Sequence, residues 1–110
     1  MTAMKVPLTE AQFQSQVTEL AERLGWAWLH VNRMQGETGW RTPVSGPLGK
    51  GFPDLLLVKG TQVLFVELKA DTGYLTDSQK ALQMGPLNRQ RFYVWRPRDF
   101  AQVMEVLHGA

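Results

Sequence analysis

Apolar residues recur along this chain with two periods, and the switches between them mark its elements. From residue 9 to 24 the spacing is helical, with Phe13, Val17, Leu20, Ala21 and Leu24 on one stripe. Thr9 and Gln12 are spaced as a capping box, Leu8 can staple onto Phe13, and Gly25 supplies the stop. Trp26 to Val31 reads as a first strand. Two short β-rich runs follow, Leu55–Val58 and Val63–Val66, with Lys59-Gly60-Thr61-Gln62 between them. Glycine at the first central position of a two-residue loop suits a type II′ turn, so the runs form a hairpin over about 54–69. Thr76 starts a second helix that stops near Gly85-Pro86. Phe92–Trp95 is a fourth strand. Pro97 leads into a last helix that buries Phe100, Val103, Met104 and Leu107. Residues 33–52 are rich in glycine and proline without periodicity. A loop that long in a compact domain is usually functional or disordered. The order α-β-β-β-α-β-α predicts an α/β fold, one mixed central sheet flanked by helices.

Composition narrows the class. A chain of 110 residues accommodates one domain, 1–110, with a real core. No apolar run reaches the length of a membrane span, and the N-terminus has no apolar signal region. With no cysteine, disulfides and thiolate metal sites are excluded, which fits a reducing compartment. The net charge of +2 is too mild to announce nucleic acid, so the placement of charge matters more than its sum. Arg33, Arg41 and Lys50 all precede Asp54 in the long loop. Arg89, Arg91, Arg96 and Arg98 flank the fourth strand, with Tyr93 and Trp95 between them. Arginine and aromatic side chains grip phosphates and stack bases; a solvated basic surface is the ordinary alternative. There is no glycine-rich phosphate loop, no serine or cysteine nucleophile with a matched base, and no zinc spacing, since the histidines are only His30 and His108.

The hairpin carries the candidate chemistry. With Gly60 and Thr61 as the loop, Lys59 lies opposite Gln62, and counting outward puts Asp54 opposite Glu67. Opposed side chains stand roughly 4.5–5.5 Å apart at Cβ, so two carboxylates there repel unless a cation lies between them. Lys69 shares the strand face of Glu67. Two acids and an ammonium at one hairpin end are the layout of a divalent-metal site beside a cation for an anionic substrate; solvated strand caps would show the same residues. On the first helix, Glu10 falls roughly 60° from Phe13 at about 100° per residue, while Glu19 and Glu22 point to solvent. Glu10 is thus the one acid of this helix that leans toward the core; its ordinary role would be a first-turn acid favoured by the helix dipole. Gln79 either completes the Thr76 capping box or offers an amide beside a substrate phosphate. His30 shares a strand face with Trp26 and Trp28, which favours core packing over contact with substrate.

Pro53-Asp54 followed after twelve residues by Glu67-Leu68-Lys69 resembles the PD-(D/E)XK nuclease signature. The ordered surroundings narrow the resemblance: Glu10, Phe13-Gln14, Gly25-Trp26, His30, Gly51-Phe52-Pro53-Asp54, Glu67-Leu68-Lys69, Gln79, and Tyr93-Val94-Trp95-Arg96-Pro97 with Asp99. Together they resemble the VRR-NUC family of virus-type replication-repair nucleases, from about Thr9 to Leu107. The resemblance implies a restriction-endonuclease-like core and Mg²⁺- or Mn²⁺-dependent hydrolysis of phosphodiester bonds. It implies Asp54, Glu67 and Glu10 as metal ligands with the Leu68 carbonyl, Lys69 as the residue that orients water and offsets phosphorane charge, and Gln79 as a positioning group. Arg33, Arg41, Lys50, Arg91 and Arg96 are the expected DNA contacts. Small stand-alone members imply a homodimer that cuts branched DNA such as Holliday junctions, in the cytoplasm of a bacterial or phage-infected cell. A structure-tolerant nickase, a flap or duplex nuclease, a non-catalytic nucleic-acid-binding module on the same fold, and a protein-interaction domain are the alternatives. The binding module would require a replaced catalytic residue, and all three acids and the lysine are intact.

Overall fold

The computed structural model describes residues 7–31, 34–36, 39–41, 47–49 and 51–109, with the backbone alone described at 34–36, 39–41 and 47. Helix α1 spans Glu10–Arg23. The Thr9 hydroxyl accepts from Gln12 N–H and the Gln12 side chain accepts from Thr9 N–H, so both halves of the capping box form. The helix ends in paired bonds, Trp26 N–H to the Ala21 carbonyl and Gly25 N–H to that of Glu22. That closure needs a left-handed residue, and Gly25 has φ 87°.

Strand β1 is Ala27–His30, and two three-residue strands follow, β2 (Met34–Gly36) and β3 (Gly39–Arg41). The hairpin is β4 (Leu55–Lys59) and β5 (Gln62–Leu68). Helix α2 is Asp77–Met84, β6 is Phe92–Trp95, and α3 is Phe100–His108. The main sheet has the order β1-β4-β5-β6. Its first three strands are antiparallel, and β6 joins β5 in parallel through the α2 crossover.

The hairpin register is the expected one, Lys59 facing Gln62 and Leu55 facing Val66. Gly60 has φ 61° and Thr61 does not share the positive sign, as a type II′ turn requires. One departure lies in the long loop: Met34–Gly36 and Gly39–Arg41 pair as a separate antiparallel ladder. Three-residue strands are too short for their alternation to register as a period.

Leu55, Leu57, Leu64, Val66, Leu68 and Trp95 project from one face of the sheet into the core, where Phe13, Val17 and Ala21 of α1 and Val103 and Leu107 of α3 cover them. Burying each such side chain contributes on the order of 1.5–3 kcal/mol. The buried Trp26 indole donates to the Leu107 carbonyl at 3.1 Å and ties the end of α3 to the entry of β1. Met104 does not share this core; it is 42% exposed, while Phe100 and Val106 flank Val103 and Leu107 instead. The stripe of α3 is therefore centred on Val103 and Leu107, with Met104 at its margin.

Candidate active site

Four segments end at one corner of the sheet. The first turn of α1 brings Glu10, the end of β1 brings His30, the turn into β4 brings Asp54, and the end of β5 brings Glu67, Leu68 and Lys69. With Ala11, Gln14, Val31 and Gln79 they line a cleft of about 380 Å³. One carboxylate oxygen each of Glu10, Asp54 and Glu67 lies within 4.8 Å of the other two. Asp54 is outside β4 proper, yet the β1–β4 ladder continues to it, because Val31 N–H bonds its carbonyl at 2.9 Å.

Each acid is held differently. The Asp54 carboxylate accepts from Leu68 N–H at 2.9 Å, which pins it across the hairpin onto the strand that carries Glu67. Such a charge-assisted bond is roughly twice as strong as a neutral one. Glu67 is only 1% exposed. A carboxylate so buried is costly unless it is paired and hydrogen-bonded. Gln79 Nε2 donates to Glu67 Oε1 at 3.0 Å, and Lys69 Nζ stands 3.9 Å from the same oxygen. Glu10 is exposed at the helix start, whereas Glu19 and Glu22 lie on the solvent side without facing the cleft.

Gln79 completes the capping box, and its amide is bonded to Glu67. Gln79 Oε1 accepts from Thr76 N–H at 2.8 Å, and the Gln79 backbone N–H bonds the Thr76 hydroxyl at 3.2 Å. The cap fixes which way the amide points, so Nε2 faces Glu67. The side chain thus links the start of α2 to the buried acid. Gly51 stands against the same helix. Its φ is 85°, and an added Cβ would stand 2.6 Å from the Ser78 carbonyl carbon. Only glycine permits that approach just before Pro53-Asp54.

His30 does not pack in the core as its strand parity suggested. It is half-buried at the open end of β1 and lines the cleft. The basic residues disperse. Arg91 bonds the Gln62 side chain at 2.9 Å and lies over the Tyr93 ring, near the hairpin turn and so at the far end of β5 from Glu67. Arg96 is at the cleft end, but its Nη2 donates to the Gly73 carbonyl at 2.9 Å and braces the segment after Lys69. Arg33 and Lys50 lie outside the described residues, as does the side chain of Arg41.

Sequence reasoning missed the Asp54–Leu68 bond, because no periodicity reports a side chain capping a neighbouring strand. It also left Gln14 without a role, although Gln14 lies one turn beyond Glu10 and lines the cleft.

The donors fit a hard divalent cation: three carboxylates, all oxygen. Oxygens around an octahedral Mg²⁺ at about 2.1 Å stand at most about 4.2 Å apart. Three ligands of one octahedron include at least two adjacent pairs at about 3.0 Å, so oxygens up to 4.8 Å apart close onto one ion with shifts on the order of 1 Å, for which exposed Glu10 has room, or with a bridging water. Among the described residues no helix is long and apolar enough to cross a membrane. No family model, curated protein or solved structure matches the chain.

Proposed function

We propose that this protein is a Mg²⁺- or Mn²⁺-dependent endonuclease that hydrolyses DNA phosphodiester bonds, with a restriction-endonuclease-like core of the VRR-NUC type. The observation that carries the reading is the convergence of Glu10, Asp54 and Glu67 within 4.8 Å, with Lys69 at 3.9 Å from Glu67. A structural ion pair needs one acid, whereas three converging acids beside one ammonium suit a cation and a substrate anion together. The order of one helix, three antiparallel strands, a crossover helix and a parallel strand supports the fold part of the reading.

Glu10, Asp54 and Glu67 would hold the ion, with the Leu68 carbonyl a further donor. The ion would polarise a phosphoryl oxygen and lower the pKa of a bound water. The rest falls to the chain itself. Leu68 N–H fixes the Asp54 carboxylate, and Gln79 fixes Glu67, so two of the ligands are oriented before anything binds. Lys69 places positive charge where the phosphorane gains negative charge and orients the attacking water. Its contact with Glu67 holds the ammonium in the cleft.

The favoured substrate is branched DNA, cut by a homodimer whose two-fold axis would match the symmetry of a four-way junction. The test incubates the purified protein with labelled four-way junction, splayed-arm, flap and linear duplex DNA in Mg²⁺, Mn²⁺ or EDTA. Paired symmetric cuts on the junction alone, lost in EDTA, are the expected result. Metal-dependent cutting of the other DNAs would keep the nuclease and discard the junction preference. Binding without cutting in any metal would overturn the enzyme in favour of a binding module.

A further inference from the structure

The segment joining Lys69 to Thr76 carries a tyrosine in an unusual setting. Tyr74 is 85% exposed, the most exposed large apolar side chain among the described residues. Yet the segment is firmly tied. Gly73 N–H bonds the Ala70 carbonyl at 2.9 Å, and Arg96 Nη2 bonds the Gly73 carbonyl at 2.9 Å. Arg98 holds Asp71 twice, its N–H on Oδ1 at 3.0 Å and its Nη1 on the carbonyl at 3.3 Å.

The segment lies against two residues that line the cleft, Lys69 and Gln79. A Cβ on Gly73 would lie 3.4 Å from both Cβ and Cδ of Lys69, so this glycine rests against the stem of the candidate catalytic ammonium. Two residues past Tyr74, Thr76 N–H is bonded to Gln79, which bonds Glu67. Tyr74 is thus bracketed by one residue that packs on Lys69 and another that is bonded to the support of Glu67. An aromatic ring on a pre-ordered segment loses little freedom when it takes up a partner.

We propose that Tyr74 is a substrate-positioning residue that stacks on a nucleobase left exposed at a branch point beside the cleft, so that branched DNA is held through a base whose stacking is interrupted. This rests on the nuclease reading and deepens it. A base inside a duplex has both faces covered by its neighbours; only a base whose stacking is interrupted offers a face to a side chain. Tyr74 supplies the ring, and Lys69 meets the adjoining phosphate. Arg98, exposed and anchored on the same segment, adds positive charge along the strand.

The experiment compares the wild type with Tyr74→Ala, Tyr74→Phe and Tyr74→Trp on two DNAs of one sequence. One is fully paired, and the other is a splayed arm with 2-aminopurine at the first unpaired nucleotide. Stacking is worth roughly 5- to 150-fold in affinity per base. Tyr74→Ala should weaken the splayed arm's Kd by about that factor and leave the duplex essentially unchanged. Tyr74→Phe and Tyr74→Trp should keep wild-type affinity. The 2-aminopurine emission should shift on binding the wild type and not on binding Tyr74→Ala. Thermal melting confirms that the variants are folded, as truncation of so exposed a side chain predicts. Unchanged splayed-arm affinity in Tyr74→Ala, equal losses on both DNAs, or a Phe variant as weak as Ala would overturn the proposal. If the wild type neither binds nor cuts any DNA, the nuclease reading fails first; if the wild type cuts and Tyr74→Ala is indistinguishable from it, only this inference fails.

Discussion

Asp54→Asn separates a metal ligand from a structural acid. Asparagine keeps an oxygen to accept Leu68 N–H, and its amide can donate to Glu67 or Glu10, so the shape of the corner survives. What disappears is one negative charge among three. Two unit charges 4.8 Å apart repel by about 3.5 kcal/mol at an effective dielectric of about 20, and by about 0.9 kcal/mol in water. The lower figure applies to exposed Glu10, and Lys69 already offsets part of the Glu67 charge. Replacing a charged acceptor by a neutral one at Leu68 N–H costs about 1 kcal/mol. The net expectation for metal-free protein is a gain of about 1–2 kcal/mol, or roughly 4 °C in Tm for each kcal/mol in a domain of this size. Metal reverses the comparison of increments. At a hundred times Kd, Mg²⁺ stabilises the wild type by about 2.7 kcal/mol, whereas a tenfold loss of affinity in the variant leaves about 1.4 kcal/mol at the same concentration. The assay is thermal unfolding of both proteins in EDTA and in saturating Mg²⁺, alongside cleavage. The variant should melt at or above the wild type in EDTA, gain less from Mg²⁺, and not cut DNA. A variant that unfolds in EDTA would make Asp54 a structural acid, and a wild type with equal Tm in EDTA and Mg²⁺ would remove the cation from the account.

Gln79→Ala removes a donor from the buried Glu67 and opens the α2 capping box. It should cost about 2–3 kcal/mol, read as a lower urea midpoint at unchanged m. Gln79→Glu, which sets a second carboxylate where the amide stands 3.0 Å from Glu67, should be no more stable than Gln79→Ala in the same titration. Two glycines form a controlled pair. Gly51→Ala meets the Ser78 backbone at 2.6 Å and should destabilise by more than about 2 kcal/mol, whereas Gly60→Ala meets open space and costs about 1 kcal/mol for its positive φ alone. Among the arginines, Arg96→Ala releases Gly73 and should slow cleavage by about tenfold or more, since small misplacements of catalytic groups are costly. Arg91→Ala should leave the single-turnover rate unchanged, because its guanidinium is engaged at Gln62, far from the cleft.

Much of the frame is legible in the sequence because its signals are local. Thr9 with Gln12, and Thr76 with Gln79, announce their capping boxes three residues apart, and both form. Gly60 fixes the turn, the turn fixes the register, and the register sets Asp54 level with Glu67. What local pattern does not carry is the meeting of elements distant in the chain. Whether the start of α1 reaches the hairpin end depends on how α1 packs across Leu64, Val66 and Leu68, which spacing alone leaves open. Only the fold gives Gln79 its second partner, turns Arg91 toward Gln62 and moves His30 from the core to the cleft wall. Met104 shows the same limit within one helix, where a four-residue period could be centred on either side of Val103.

The most direct measurement is single-turnover cleavage of a labelled four-way junction by the wild type, Asp54→Asn, Glu67→Gln and Lys69→Ala, in Mg²⁺ and in EDTA, with folding of each variant checked by thermal melting. Cleavage by the wild type in Mg²⁺ only, and its loss in all three folded variants, is the predicted result. Cleavage that persists in EDTA, or in a variant lacking any one of the three side chains, would contradict it.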